Sequence, residues 1–70
     1  MDITWLVKMR MAEKHIKTFG ELSKLTGIKY QTLVAKIKKS NQLRVYELKA
    51  LAQALGFQPD EIIMILEAKQ

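Results

Sequence analysis

Between Lys29 and Arg44 the chain carries five basic residues (Lys29, Lys36, Lys38, Lys39 and Arg44) and no acidic one. Three of its seven acids, Asp60, Glu61 and Glu67, fall in the last eleven residues. A basic middle with a more acidic end suits a surface that faces a polyanion, since Lys and Arg that neutralise phosphates supply sequence-independent affinity. The uncharged residues of the same stretch offer a second chemistry. The Gln31 amide presents the donor and acceptor pair that matches the major-groove edge of adenine, and a small residue at position 35 lets a helix approach a duplex closely.

Other chemistries find little footing. Cysteine is absent, which excludes a disulfide framework and a thiolate zinc site and suits a reducing compartment. The lone His15 has no second His to share a metal and reads as a helix C-terminal cap or a surface residue. There is no Gly-rich phosphate loop, no HExxH and no nucleophile elbow. The one adjacent carboxylate pair, Asp60-Glu61, is explained by the start of a helix. No enzyme activity, metal, cofactor or small-molecule ligand is expected. Trp5 and the four Met residues read as core or gap filling.

The elements that must position Gln31 and its neighbours are short. The chain has 70 residues, 49% of them hydrophobic and 27% charged, with a net charge of +5. That is enough for one small domain, read as spanning residues 1–70. The longest apolar run, Ile62 to Leu66, is too short to cross a bilayer and no signal-peptide core opens the chain, so no membrane partner and a cytoplasmic, nucleoid-associated location are expected. Asp2 can cap a first helix running to about His15, with Leu6, Val7, Met9 and Arg10 around it. Thr18 and Glu21 of TFGE form a capping box for a second helix, Phe19 to Thr26, with Leu22 and Leu25 inward and Gly27 closing it in left-handed geometry. A third runs from Tyr30 to Lys38 or Lys39 on a Leu33/Ile37 stripe. After the polar Ser40-Asn41-Gln42 break, a fourth spans Val45 to Leu55 over Leu48, Leu51, Ala52 and Leu55, and Gly56 ends it. The fifth begins at Pro59, with Asp60 and Glu61 where the helix dipole favours negative charge. The predicted fold is all-α, a compact bundle of five short helices.

Helices two and three, joined by Gly27-Ile28-Lys29, make a short-helix, tight-turn, short-helix unit. In such a unit the first helix braces the second, whose outward side reaches base edges. On a helical wheel Gln31, Ala35 and Lys38 lie opposite the Leu33/Ile37 stripe, flanked by Thr32 and Val34. Tyr30 lies about 60° from the stripe, so inward packing and stacking on a base both remain open.

With these residues the chain resembles the Cro/C1-type (xenobiotic-response-element-like) helix-turn-helix repressors, in the lambda-repressor-like fold. The resemblance is carried by ELSKLTGIKYQTLVAKI and then ELKALAQALGFQPDEI, through Leu22, Ser23, Gly27, Ile28, Leu33, Leu48, Leu51, Ala52, Leu55 and Gly56. YQTLVAKI is similar to the small Cro-like regulators of phages and mobile elements in Gram-positive bacteria. The likeness implies a transcriptional regulator, a repressor that occupies an operator through the third helix in the major groove. It implies base contacts from Lys29, Tyr30, Gln31, Thr32 and Ala35, the last against a thymine methyl. Phosphate contacts would come from Thr18, Lys36, Lys38, Lys39 and Arg44. The chain departs from the family in having Phe19 where Gln is frequent, Lys29 where Ser or Thr caps the recognition helix, Ile37 where Glu is common, and Ser23 where Ala is usual.

The apolar run from Ile62 to Leu66 exceeds one amphipathic stripe. Burial of Ile62, Ile65 and Leu66 would leave Ile63 or Met64 outward as homodimer contacts, placing two recognition helices on a palindromic operator. A cover by Trp5 and Met9 of the first helix is the other reading. Two further functions fit the same fold: a protein-interaction module, such as an antitoxin or antirepressor, and an architectural or recombination-directing DNA binder.

Overall fold

The structure is a computed structural model that describes residues 1–68. Five α-helices follow in order: α1 (Thr4–Glu13), α2 (Phe19–Thr26), α3 (Tyr30–Lys38), α4 (Val45–Leu55) and α5 (Pro59–Glu67), with a single 3-10 turn, Ser40–Gln42, between α3 and α4. No strand occurs among the described residues, so the all-α expectation holds. Helix α2 packs against α3 and α4, α1 against the same two, and α5 against the 3-10 turn. Leu6 and Val7 of α1, Leu22 of α2, Leu33 and Ile37 of α3, Leu51 and Leu55 of α4 and Ile65 of α5 meet in one core. Short helices such as the two turns of α2 are marginal alone, and this shared burial is what holds them.

Local chemistry fixes most of the ends. Asp2 Oδ1 accepts the Thr4 N–H at 2.8 Å. His15, the one described non-glycine residue at positive φ (59°), turns the chain left-handed. That is why α1 stops at Glu13, short of the expected end. Thr18 Oγ1 accepts the Glu21 N–H at 3.1 Å, but the returning Glu21 carboxylate accepts from Lys17 N at 3.3 Å. The capping box is thus displaced by one residue on its return arm. Gly27 closes α2 at φ +75°, where a Cβ would be strained.

Several expected core residues lie elsewhere. Leu25 is 63% exposed, because the inner side of α2 is formed by Phe19, Leu22, Ser23 and Thr26 and position 25 falls off its edge. Trp5 is 57% exposed and Met9 is also exposed. The inner side of α1 is formed by Leu6, Val7 and Met11, with Ile3 just before the helix, which turns Trp5 and Met9 to the opposite side. On α5, Ile65 is buried and Ile62 and Met64 rest half-buried on the core, while Ile63 and Leu66 are exposed. Leu66 is therefore outward instead of inward, and Met64 is engaged with the core instead of free for a partner. Arg10 helps set that rotation. Its Nε and Nη2 donate to the two Glu61 oxygens at 3.1 and 2.6 Å, a forked pair that ties α1 to α5. Arg10 is thus a tie across two helices that lie far apart in the chain.

Candidate nucleic-acid interface

The α2–α3 connection is held by side chains of α2. Ser23 Oγ donates to the Ile28 carbonyl, and Thr26 Oγ1 accepts the Ile28 N–H at 3.3 Å while donating to the Leu22 carbonyl at 2.9 Å. The Ser23 hydroxyl that departs from the usual Ala thus pins the tight turn from which α3 departs. At the other end of α3 the N-terminal segment takes over. Ile3 N–H donates to the Ile37 carbonyl and Ser40 N–H donates to the Met1 carbonyl, both at 2.9 Å. Ser40 is not part of an exposed polar break: it is buried, its N–H serves this link, and its Oγ has no partner.

With α3 fixed at both ends, Leu33 and Ile37 face the core and Gln31, Ala35 and Lys38 face solvent. Thr32 and Val34 are half-buried beside them. Tyr30 is 54% exposed, so it does not pack inward against the core. Lys29, at the N-cap of α3, is exposed and supplies no capping hydrogen bond. The outward side of α3 is slightly concave, lined by Tyr30, Gln31, Val34, Ala35, Lys38 and Lys39 together with Gln42. Gln42 had no periodic signal to mark it, because it lies in the 3-10 turn, outside the helical register of α3.

The basic residues divide into two kinds. Lys38, Lys39 and Arg44 are exposed and, among the described residues, form no ion pair. Thr18 is exposed at the start of α2. Lys36 is different: its Nζ donates to Glu47 Oε1 at 2.7 Å, with the Lys36 side chain 18% and the Glu47 side chain 3% exposed. Glu47 also accepts the Arg44 N–H at 2.8 Å and so caps α4. Burial pushes the Glu47 carboxyl up, but the bonds from Lys36 and the Arg44 N–H outweigh it and hold it below its ordinary value. Lys36 is therefore turned inward as a brace between α3 and α4, which corrects its expected place among the phosphate contacts. Asp2 lies near this end of α3. The side chain and N–H of Thr4 hold its carboxyl below the ordinary value, with a smaller attraction from Lys38.

A family model of the Cro/C1-type HTH DNA-binding domain matches residues 7–67. The chain belongs to that family. No curated protein and no solved structure matches the chain. As a Cro/C1-type domain it is a DNA-binding regulator, and its α2–turn–α3 unit is the helix-turn-helix. Among the described residues no helix is long and apolar enough to cross a membrane.

Proposed function

We propose that this Cro/C1-type domain is a sequence-specific repressor that lays α3 in the major groove of an operator and represses by occupying it. The observation that carries this reading is the open outward side of α3, with Gln31 and Ala35 in its middle and Lys38 and Lys39, which form no ion pair among the described residues, at its end. Lys29, Tyr30, Gln31, Thr32 and Ala35 are assigned to base edges, and Thr18, Lys38, Lys39 and Arg44 to phosphates. Two-fold pairing on a palindrome is supported by the outward apolar side chains of α5, Ile63 and Leu66, the latter lining one shallow apolar surface with exposed Val45 of α4. Sites selected from random duplexes at two salt concentrations test specificity, palindromy and phosphate contact together. Retention of no duplex at low salt would overturn the reading.

Two substitutions separate the roles within this surface. Gln31→Ala is expected to relax discrimination at one base pair of the selected site by about 1–3 kcal/mol and to leave random DNA almost unaffected. Equal losses on both would remove Gln31 from base recognition. Lys38→Ala should weaken binding to all sequences alike and make the slope of log affinity against log salt shallower by about 0.9. A slope that does not move would exclude a phosphate contact there.

A further inference from the structure

Side chains hold backbone N–H groups at the starts of α1, α2, α4 and α5. Asp2 accepts the Thr4 N–H, Thr18 the Glu21 N–H, Glu47 the Arg44 N–H and Glu61 the Gln58 N–H. Helix α3 is the exception, since Lys29 at its N-cap makes no such bond. The first turn of α3, which bears Tyr30 and Gln31, is therefore not aimed by a cap of its own. It is held one residue upstream. Both backbone polar groups of buried Ile28 are bonded by hydroxyls of α2, Ser23 Oγ donating to its carbonyl and Thr26 Oγ1 accepting its N–H. Among the described residues no other group bonds that carbonyl. Only the φ and ψ of Lys29 separate this clamped peptide from the helix, whose first backbone bond runs from the Leu33 N–H to the Lys29 carbonyl at 2.8 Å.

Resting on the repressor reading above, we propose that Ser23 is a positioning residue for base recognition: through the Ile28 peptide, its hydroxyl sets the direction in which α3 presents Gln31. A recognition group must be held within about 0.5 Å and 10–20° of its productive geometry. Without the Ser23 hydroxyl the Ile28 carbonyl loses its partner and must turn toward water, which rotates the peptide at the pivot of α3. The rest of the helix stays anchored. Leu33 and Ile37 are in the core, and the Ile3 N–H holds the Ile37 carbonyl at 2.9 Å. The displacement is thus a local tilt of the first turn, and Lys38 and Lys39 at the far end keep their place. Ser23 therefore acts on discrimination between sequences and not on the charge-driven affinity that all duplexes share.

The test measures Ser23→Ala and the parent on a duplex recovered by selection and on random DNA, at a temperature where thermal transitions show both proteins folded. The expected result is about tenfold weaker binding to the selected duplex, the size of one base-edge hydrogen-bond pair at 1.4 kcal/mol per decade. Binding to random DNA and the salt slope should not change. Ser23→Thr, which keeps the hydroxyl, should bind as the parent does. In a Gln31→Ala background Ser23→Ala should cost little more, because two residues that act through one contact are not additive. Parent-like binding of Ser23→Ala to the selected duplex, or equal losses on both DNAs, overturns the assignment while leaving DNA binding intact. So does a full loss that persists in the Gln31→Ala background. A loss shared by folded Ser23→Thr overturns it as well and assigns the effect to packing. Failure to recover any duplex overturns both the positioning role and the repressor reading.

Discussion

Leu33→Ala is expected to destabilise the domain by about 2–5 kcal/mol and to lower its melting temperature by roughly 10–30 °C. Leu33 is 1% exposed and anchors the first half of α3 in the common core, where α3 packs against α1 and α2 and a close-packed interior relaxes only partly around a smaller side chain. A chain of 70 residues has a total stability on the order of 4–10 kcal/mol, so the variant would be partly unfolded near physiological temperature. Its affinity for DNA should fall in proportion to the folded fraction and recover on cooling toward the temperature of maximum stability. Urea unfolding followed by circular dichroism measures the first effect, and binding at two temperatures the second. A melting temperature within a few degrees of the parent would contradict the packing described for α3.

Lys36→Met is expected to cost about 2–3 kcal/mol near neutral pH, less than a fully enclosed pair because Lys36 keeps some solvent contact and Glu47 keeps the Arg44 N–H. The pH dependence identifies the cause. In the parent protein the Glu47 carboxyl titrates below its ordinary value of 4.5, so its stabilising share is present above that value and is lost as pH falls through the folded value. Without Lys36 the buried carboxyl should titrate higher and this share should vanish. The stability gap between the two proteins is therefore largest near neutral pH and narrows in acid. Urea midpoints at about pH 7 and about pH 3 compare the two conditions. A gap of the same size at both would assign the loss to packing of the lysine stem instead.

The helices and their order were legible because their punctuation is chemical and local. Thr18, Gly27, Gly56 and Pro59 each act within one turn, and the bounds of α2, α4 and the start of α5 follow from them. The outward side of α3 was legible for the same reason: Leu33 and Ile37 define it by exclusion. What escaped depends on residues far apart in the chain. Nothing near Lys36 marks Glu47 as its partner, and nothing near Arg10 marks Glu61, so neither pairing shows in the sequence. Leu25, Trp5 and Leu66 failed as core predictions for a related reason. An apolar residue at the edge of a stripe is buried only if a neighbouring helix covers that edge, and the helix rotation that decides this is a tertiary quantity. Ser40 failed in the opposite direction, since a polar residue in a polar run gave no sign that the N-terminal segment covers it.

The backbone link from Ile3 to Ile37 bears on modularity. The closing turn of α3 is finished by a stretch of chain that precedes the whole two-helix unit, so that unit is not a portable cassette. Grafted alone onto another scaffold, it would lose the partner of its Ile37 carbonyl and the brace at Glu47 together. The outward side chains of α3 can therefore be transplanted only on a complete bundle.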